Sequence, residues 1–233
     1  MSDLTTQLVS WNKRFEGAEA GDTLQWMLDQ YGDELVATSS FQTQSVPLLH
    51  LISRFAPKMK IYFLDTGFHF DETIHFVERI KKDFGLKIEY LKPLLGHEEF
   101  QEQYGDLFEK DPSMCCYLNK VEPLTRALKN AKAWISGVRS DQTSIRAGYQ
   151  KFNLQGDGKV KCCPLINWTQ QQIDEYIVLN NLPSHPLLSQ GYRSIGCAPC
   201  TKPVDLNDDA RAGRWVGIEK TECGLHGKNP SAE

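Results

Sequence analysis

"ELVATSSFQTQSVPLLHLISRF", residues 34–55, decides the fold. A short apolar run at 35–37 passes through a Ser- and Gln-rich turn, 39–45, into a segment of helical period at 46–55. Pro47 sits in the opening turn of that segment, where its missing N–H costs nothing. The same pattern recurs along the chain. Apolar runs at 61–64 ("KIYFLD"), 88–91 ("KIEYL"), 133–138 ("AWISGV") and 160–165 ("VKCCPL") predict strands. Helical spacing predicts helices over 72–84, 118–130 and 170–180, the last capped by Thr169. Strands alternating with helices predict an α/β fold, a mostly parallel sheet with helices on both faces. From about Leu188 Gly, Pro, Arg and Lys become frequent and the periodicity fades, which predicts a loosely packed, mobile C-terminal tail. No internal repeat or low-complexity tract interrupts this plan.

A chain of 233 residues can bury a full core, so one domain with an appended tail is expected. The formal charge of -4 argues against general nucleic-acid binding, which needs a basic face, but leaves room for small anions held by a local cluster. "MSDLTTQLVSWNKRF" has no apolar run behind a basic start, and no stretch of eighteen apolar residues occurs, so a soluble cytoplasmic protein without membrane contact is expected. Seven cysteines in such a chain point to reduced thiols, a metal or catalysis rather than a disulfide framework.

Ligands of open parallel sheets bind beyond the carboxyl ends of the strands, so the turns after the strands carry the functional information. The first turn offers Ser39, Ser40 and Ser45 with free backbone N–H groups, a cradle for phosphate or sulfate, though an ordinary Ser-rich helix cap also accounts for it. The second, "LDTGFHFDET", ends a strand on Asp65, a carboxylate suited to ribose hydroxyls or adenine nitrogens. The turn "GVRSDQTSIRA" brings Arg139, Gln142 and Arg146, whose guanidiniums suit an anion; surface ion pairing is the plainer alternative. A nucleotide with attached anionic groups would satisfy all three turns.

The cysteines divide into Cys197 and Cys200 in "SIGCAPC", the adjacent pair Cys115 and Cys116, a second adjacent pair Cys162 and Cys163, and Cys223 in "KTECGLH". C-x-x-C spacing serves zinc, iron–sulfur and redox sites alike. Neighbouring residues converge poorly on one tetrahedral ion, whereas a cubane presents separate iron corners to diverging thiolates, which favours iron–sulfur over zinc. Cys162 and Cys163 end an apolar run before Pro164 and read as small buried hydrophobes. Cys223, flanked by Lys220, Glu222, Gly224 and His226, reads as a reactive thiol or as an incidental one.

Together, "SSFQTQS", "FLDTGFHFDET", "CC" followed by "KVEPL", "GVRSDQTSIRA", "HPLLSQGYRSIGC", "RAGRW" and "KTECGLH" resemble, in order and from about residue 30 to 228, the assimilatory sulfonucleotide reductases, which act on adenylyl sulfate or phosphoadenylyl sulfate. The resemblance implies a Rossmann-like fold of the adenine nucleotide alpha hydrolase type, divided into a nucleotide- and cluster-binding part (1–204) and a tail (205–233). It implies that Cys223 attacks the sulfur of the nucleotide, that AMP departs from an S-sulfocysteine, and that thioredoxin or glutaredoxin then releases sulfite. Lys120, Arg211 and Arg214 match the CC-x3-K and RxGRW patterns and are expected near the sulfate, and His226 matches the histidine after the catalytic cysteine. Members with both CC and C-x-x-C bind a [4Fe–4S] cluster and mostly use adenylyl sulfate, which implies Cys115, Cys116, Cys197 and Cys200 as ligands.

Two features depart from the pattern. Gln42 stands where the family commonly has Gly, and its surrounding SSFxxQS sits closer to the 3′-phosphorylated-substrate type; Cys162 and Cys163 match no family role. Phosphoadenylyl sulfate is therefore the alternative substrate, and a homo-oligomer is left open. An ATP-using pyrophosphatase-loop enzyme would need a Gly-rich loop that Phe41, Gln42 and Gln44 do not provide, and a zinc or redox-sensing module would make no sulfite.

Overall fold

The computed structural model describes residues 2–225. Six strands form one sheet: β1 (Leu35–Thr38), β2 (Lys60–Leu64), β3 (Lys87–Leu91), β4 (Ala133–Ser136), β5 (Phe152–Leu154) and β6 (Val160–Cys162). Their order is β3-β2-β1-β4-β6-β5, all neighbours parallel except β5 against β6. The expected mostly parallel sheet is present. β5 was not foreseen, being only three residues on an antiparallel edge. The runs expected to reach 138 and 165 pair only as far as Ser136 and Cys162; in the second, Pro164 has no N–H for a ladder.

The inner strands β1, β2, β4 and β6 bury both faces, so their side chains alternate between two cores. Ile88, Ile61, Ala37, Ile135 and Cys162 stand side by side in register across five strands and share the larger core. Cys162 is thus a small apolar member of a core row, and Cys163 packs with Val138 and Ile166 on its own side. Val36, Tyr62 and Trp134 point the other way, into a smaller core.

The larger core is covered by α1 (Ser2–Arg14), α2 (Ala20–Tyr31), α3 (Val46–Phe55) and α4 (Asp71–Phe84). Beyond β3 come α5 (His97–Tyr104), α6 (Leu107–Lys110) and α7 (Pro112–Cys116), then a π-helical turn (Tyr117–Val121) that runs into α8 (Glu122–Ala127), α9 (Ser144–Ala147) and finally α10 (Gln170–Leu179). α10 completes the cover of the larger core, and Thr169 caps it as expected, accepting from the Gln172 N–H at 3.2 Å. Leu124 of α8 and Leu128 after it close the smaller core.

α1 and α2, which the strand–helix alternation passed over, seal the β5 edge. Trp11, Phe15 and Trp26 surround Phe152 with ring centroids 4.9–6.0 Å apart. The single helix expected over 118–130 is instead broken by the π-helical turn, with Pro123 opening α8. The tail is irregular but packed as far as Leu225: Thr201 bridges Arg214, Trp215 and Glu222 are buried, and Leu225 rests on the smaller core. No described helix is long and apolar enough to cross a membrane.

Candidate active site at the carboxyl edge of the sheet

Chain order reverses between β1 and β4, the place where an open parallel sheet leaves a crevice beyond its carboxyl ends. A pocket lies there, lined by the ends of β1, β2 and β4 and by the tail. The turn after β1 is held open by Phe41, a fully buried residue in the left-handed region at φ 53 that packs on Phe63 at 5.5 Å. Such backbone costs an L-residue roughly 1–2 kcal/mol, an amount that burying the ring offsets. Ser39, Ser40 and Ser45 then face the pocket, with the Ser40 and Ser45 hydroxyls 3.1 Å apart. Gln42 and Gln44 stitch this turn to the 193–195 segment: the Ile195 N–H donates to Gln42 Oε1 at 3.0 Å, and Gln44 Nε2 donates to the Arg193 carbonyl at 3.2 Å. A glycine at position 42 could make no such bond.

The expected charged residues sort into two groups. Lys120, Arg146, Arg211 and Arg214 line the pocket; Arg139 and Asp65 do not. Arg139 is buried and forked on Asp141 at 3.0 and 3.1 Å, with Gln170 at 3.0 Å, so its donors brace the β4 turn. Asp65 accepts from the Gly67 N–H at 3.3 Å and lies 4.0 Å from Lys92. Arg146 reaches the pocket, yet its Nε and Nη2 donate to Glu222 at 2.6 and 2.8 Å and its Nη1 to Gln142. Arg211 Nη2 donates to the Thr221 carbonyl at 2.7 Å. Burial, with Arg146 close by, lowers its pKa to about 10, still cationic at neutral pH. Arg214 stacks over Trp215 at 4.5 Å, and its buried Nε has no partner. Its guanidinium lies where a Cβ at residue 196 would stand, 2.2 Å from Nη2, so this approach requires Gly196.

Cys223 lines the same pocket, half-buried, among these cations. Next to it Glu222 is buried; burial alone would raise its pKa, but the bonds and charge of Arg146, then Arg211, bring it below the usual carboxylate range. His226 lies outside the described residues.

Cys115, Cys116, Cys197 and Cys200 come together beside the pocket, with Phe68, Phe108 and Asn119, around a small cavity. All four are free thiols. Asn119 Nδ2 approaches Cys115 Sγ at 3.7 Å, and Thr66 Oγ1 lies 3.4 Å from Cys197 Sγ. Burial together with the neighbouring cysteines pushes Cys115 up to about 12 and Cys200 to about 11. Among the described residues no three His, Cys, Asp or Glu side chains converge on one point for a single metal ion. The four thiols line one cavity. Lys120, on the π-helical turn, lines both the pocket and this cavity. Burial opposes its charge, but the flanking Cys197, Cys116 and Cys223 raise its pKa overall.

Sequence reasoning passed over the part played by four residues. Glu222 was noted only as a flank of Cys223; its partner Arg146 is 76 positions away. Gln42 and Gln44 were read as defects of a Gly-rich loop rather than as ties. His69 lines the pocket with Nε2–H donating to the Leu64 carbonyl at 2.8 Å, and burial keeps it neutral by lowering its pKa.

A family description of the phosphoadenosine phosphosulfate reductase domain matches residues 34–203. Adenosine 5'-phosphosulfate reductase 1 of Bacillus subtilis (strain 168) is 48% identical over 206 residues, covering 87% of this chain and 88% of the relative. Adenosine 5'-phosphosulfate reductase of Halalkalibacterium halodurans is 43% identical over 218 residues, covering 92% and 94%. Among solved structures, phosphoadenylyl-sulfate reductase from Candida auris in its phosphate complex superposes with a TM-score of 0.73 at 29% identity, covering 84% of this chain and 96% of that one. An FMN adenylyltransferase from Candida glabrata, at 15% identity and a TM-score of 0.58 over 86% of this chain and 70% of its own, shares the fold alone. On the extent of these matches, the chain belongs to the phosphoadenosine phosphosulfate reductase family.

Proposed function

We propose that this protein reduces adenosine 5'-phosphosulfate to sulfite and AMP in sulfate assimilation, taking electrons from a thioredoxin-type dithiol. The observation that carries the reading is Cys223, placed in one pocket with the Ser39–Ser40–Ser45 cradle and with Lys120, Arg211 and Arg214. The relatives that cover most of this chain carry the same activity in their names.

The Cys223 thiolate attacks the sulfur, an S–S bond forms, and the S–O bond to the nucleotide phosphate breaks, so AMP leaves with that electron pair. Lys120, Arg211 and Arg214 offset charge on the sulfuryl and phosphoryl oxygens, and the serine turn holds the departing phosphate. One thiolate of the reductant then attacks Cys223 Sγ in the S-sulfocysteine and expels sulfite. Its second thiol resolves the mixed disulfide, returning Cys223 as a thiol and leaving the reductant oxidised by two electrons. Cys115, Cys116, Cys197 and Cys200 would hold a [4Fe–4S] cluster, which when bound supplies a fixed charge behind Lys120. The gathering of the four thiols around one cavity supports that assignment, and the diverging directions of the adjacent Cys115 and Cys116 favour a cluster over zinc.

The test is a sulfite assay on anaerobically purified protein with reduced thioredoxin and each sulfonucleotide in turn. Faster turnover of the 3′-phosphorylated nucleotide would reverse the substrate assignment. Cys223→Ser is expected to abolish sulfite release while nucleotide affinity is retained; lost affinity instead would remove the thiol from its role as nucleophile.

A further inference from the structure

The residue before the nucleophile is firmly anchored. Glu222 Oε1 accepts from Arg146 Nε at 2.6 Å and from Thr143 Oγ1 at 3.0 Å, Oε2 accepts from Arg146 Nη2 at 2.8 Å, and Arg211 Nη2 stands 3.8 Å away. The receptor for this carboxylate is built in advance. Thr143 caps α9, accepting from the Arg146 N–H at 3.2 Å, and Gln142 Oε1 takes the guanidinium's remaining nitrogen. Gln142 Nε2 in turn donates at 3.1 Å to Gln44 of the turn after β1. A chain of side-chain bonds therefore runs from the serine turn to the backbone of Cys223. Arg146 thus donates to protein partners from each of its three nitrogens, through three of its five N–H groups.

We propose that Glu222 is a positioning residue: a carboxylate latch, seated on Arg146 and Thr143, that holds the Cys223 thiol in the pocket and opens when that thiol leaves it. The inference rests on the reaction proposed above for its purpose, and on geometry alone for its existence. An ion pair of this kind is costly to break on one side, because the partner charge is left buried. The latch therefore confines the nucleophile until another interaction replaces it.

The test is the rate at which iodoacetamide alkylates Cys223, read by peptide mapping on the cluster-loaded protein without nucleotide, in Glu222→Gln and Arg146→Gln. The two changes push thiol ionisation in opposite directions: losing the carboxylate favours the thiolate and speeds alkylation, and losing the guanidinium disfavours it and slows alkylation. Opening a latch speeds both. Acceleration of at least about tenfold in both variants is expected, given the strength of buried charge pairs. Opposite responses, or none, overturn the latch. Cys162 and Cys163, fully buried, serve as controls for unfolding. Should they label in step with Cys223 in either variant, Thr143→Val, which removes one donor and no charge, carries the test, and unchanged labelling there overturns the proposal. In turnover, Glu222→Gln should lower kcat with the KM for nucleotide nearly unchanged, and Glu222→Asp should recover part of the loss. Wild-type protein that makes no sulfite would sink the reaction and leave the labelling result standing.

Discussion

Two glycines meet obstacles of nearly equal closeness and opposite kind. A Cβ at Gly213 would stand 2.1 Å from the Lys202 carbonyl oxygen, and one at Gly196 would stand 2.2 Å from Arg214 Nη2. The first obstacle is backbone, fixed by the Lys202 N–H bond to the Gly213 carbonyl at 2.8 Å and by the Thr201–Arg214 bridge. Gly213→Ala must part these strands of chain, and a loss of about 2–4 kcal/mol in urea unfolding is expected, the range of severe steric changes. The second obstacle is the end of a flexible side chain that lines the pocket. Gly196→Ala should leave the urea midpoint nearly unmoved but displace the guanidinium, raising the KM for the sulfonucleotide about tenfold, roughly 1.4 kcal/mol of binding. If the two variants exchanged these signatures, the roles assigned to the glycines would be wrong. Neither need is visible in "RAGRW" or "SIGC", because each arises from chain that approaches from another part of the fold.

At the level of elements, what could be read from sequence was what depends on local pattern. α3, α4 and α10 and the five parallel strands follow from apolar spacing, Pro47 and Thr169, and their observed limits fall within a few residues of the expected ones. The π-helical turn at Tyr117–Val121 escaped, since one extra residue in a helix leaves no trace in composition, yet it is the turn that places Lys120 between pocket and cysteine cavity. α1 and α2 were missed for another reason. Leu8, Trp11 and Phe15 do stand at helical spacing, but few other apolar residues accompany them in a polar stretch, and their partner Phe152 is a distant edge residue. That seal can be measured. Phe152 is 1% exposed and touches Trp11, Phe15 and Trp26, so Phe152→Ala should cost about 3–5 kcal/mol in chemical denaturation. A cost below about 1 kcal/mol would mean that the N-terminal helices close nothing.

Across the whole molecule, residue types at the sheet edge were readable, but not which of them would find a partner first. Arg139 and Asp65 carried the chemistry expected of a ligand site, yet Asp141, Gln170 and the Gly67 N–H satisfy them, and Arg146 is claimed by the tail. The same competition for partners shapes the protein's response to acid, through a buried group bonded to Thr73 of the pocket wall. His185, 1% exposed, joins the tail-side chain to α4: its Nδ1 accepts from the Leu187 N–H at 3.2 Å, so its Nε2–H donates to Thr73 Oγ1 at 3.0 Å. Only the neutral ring can make both bonds. Burial accordingly lowers its pKa to about 4, against an attraction from Glu72 that pulls the other way. The unfolded chain binds a proton near pH 6.5, the folded one not until about 4, so the contribution is complete above that upper value and is lost as pH falls between the two. Discounted for partial solvation, the loss should be roughly 2 kcal/mol between pH 7.5 and 4.5. Urea midpoints across that range should fall for the wild type, and the fall should be smaller by that amount in His185→Asn, which titrates nowhere in it. Parallel curves for the two proteins would show that a different group governs the acid limb.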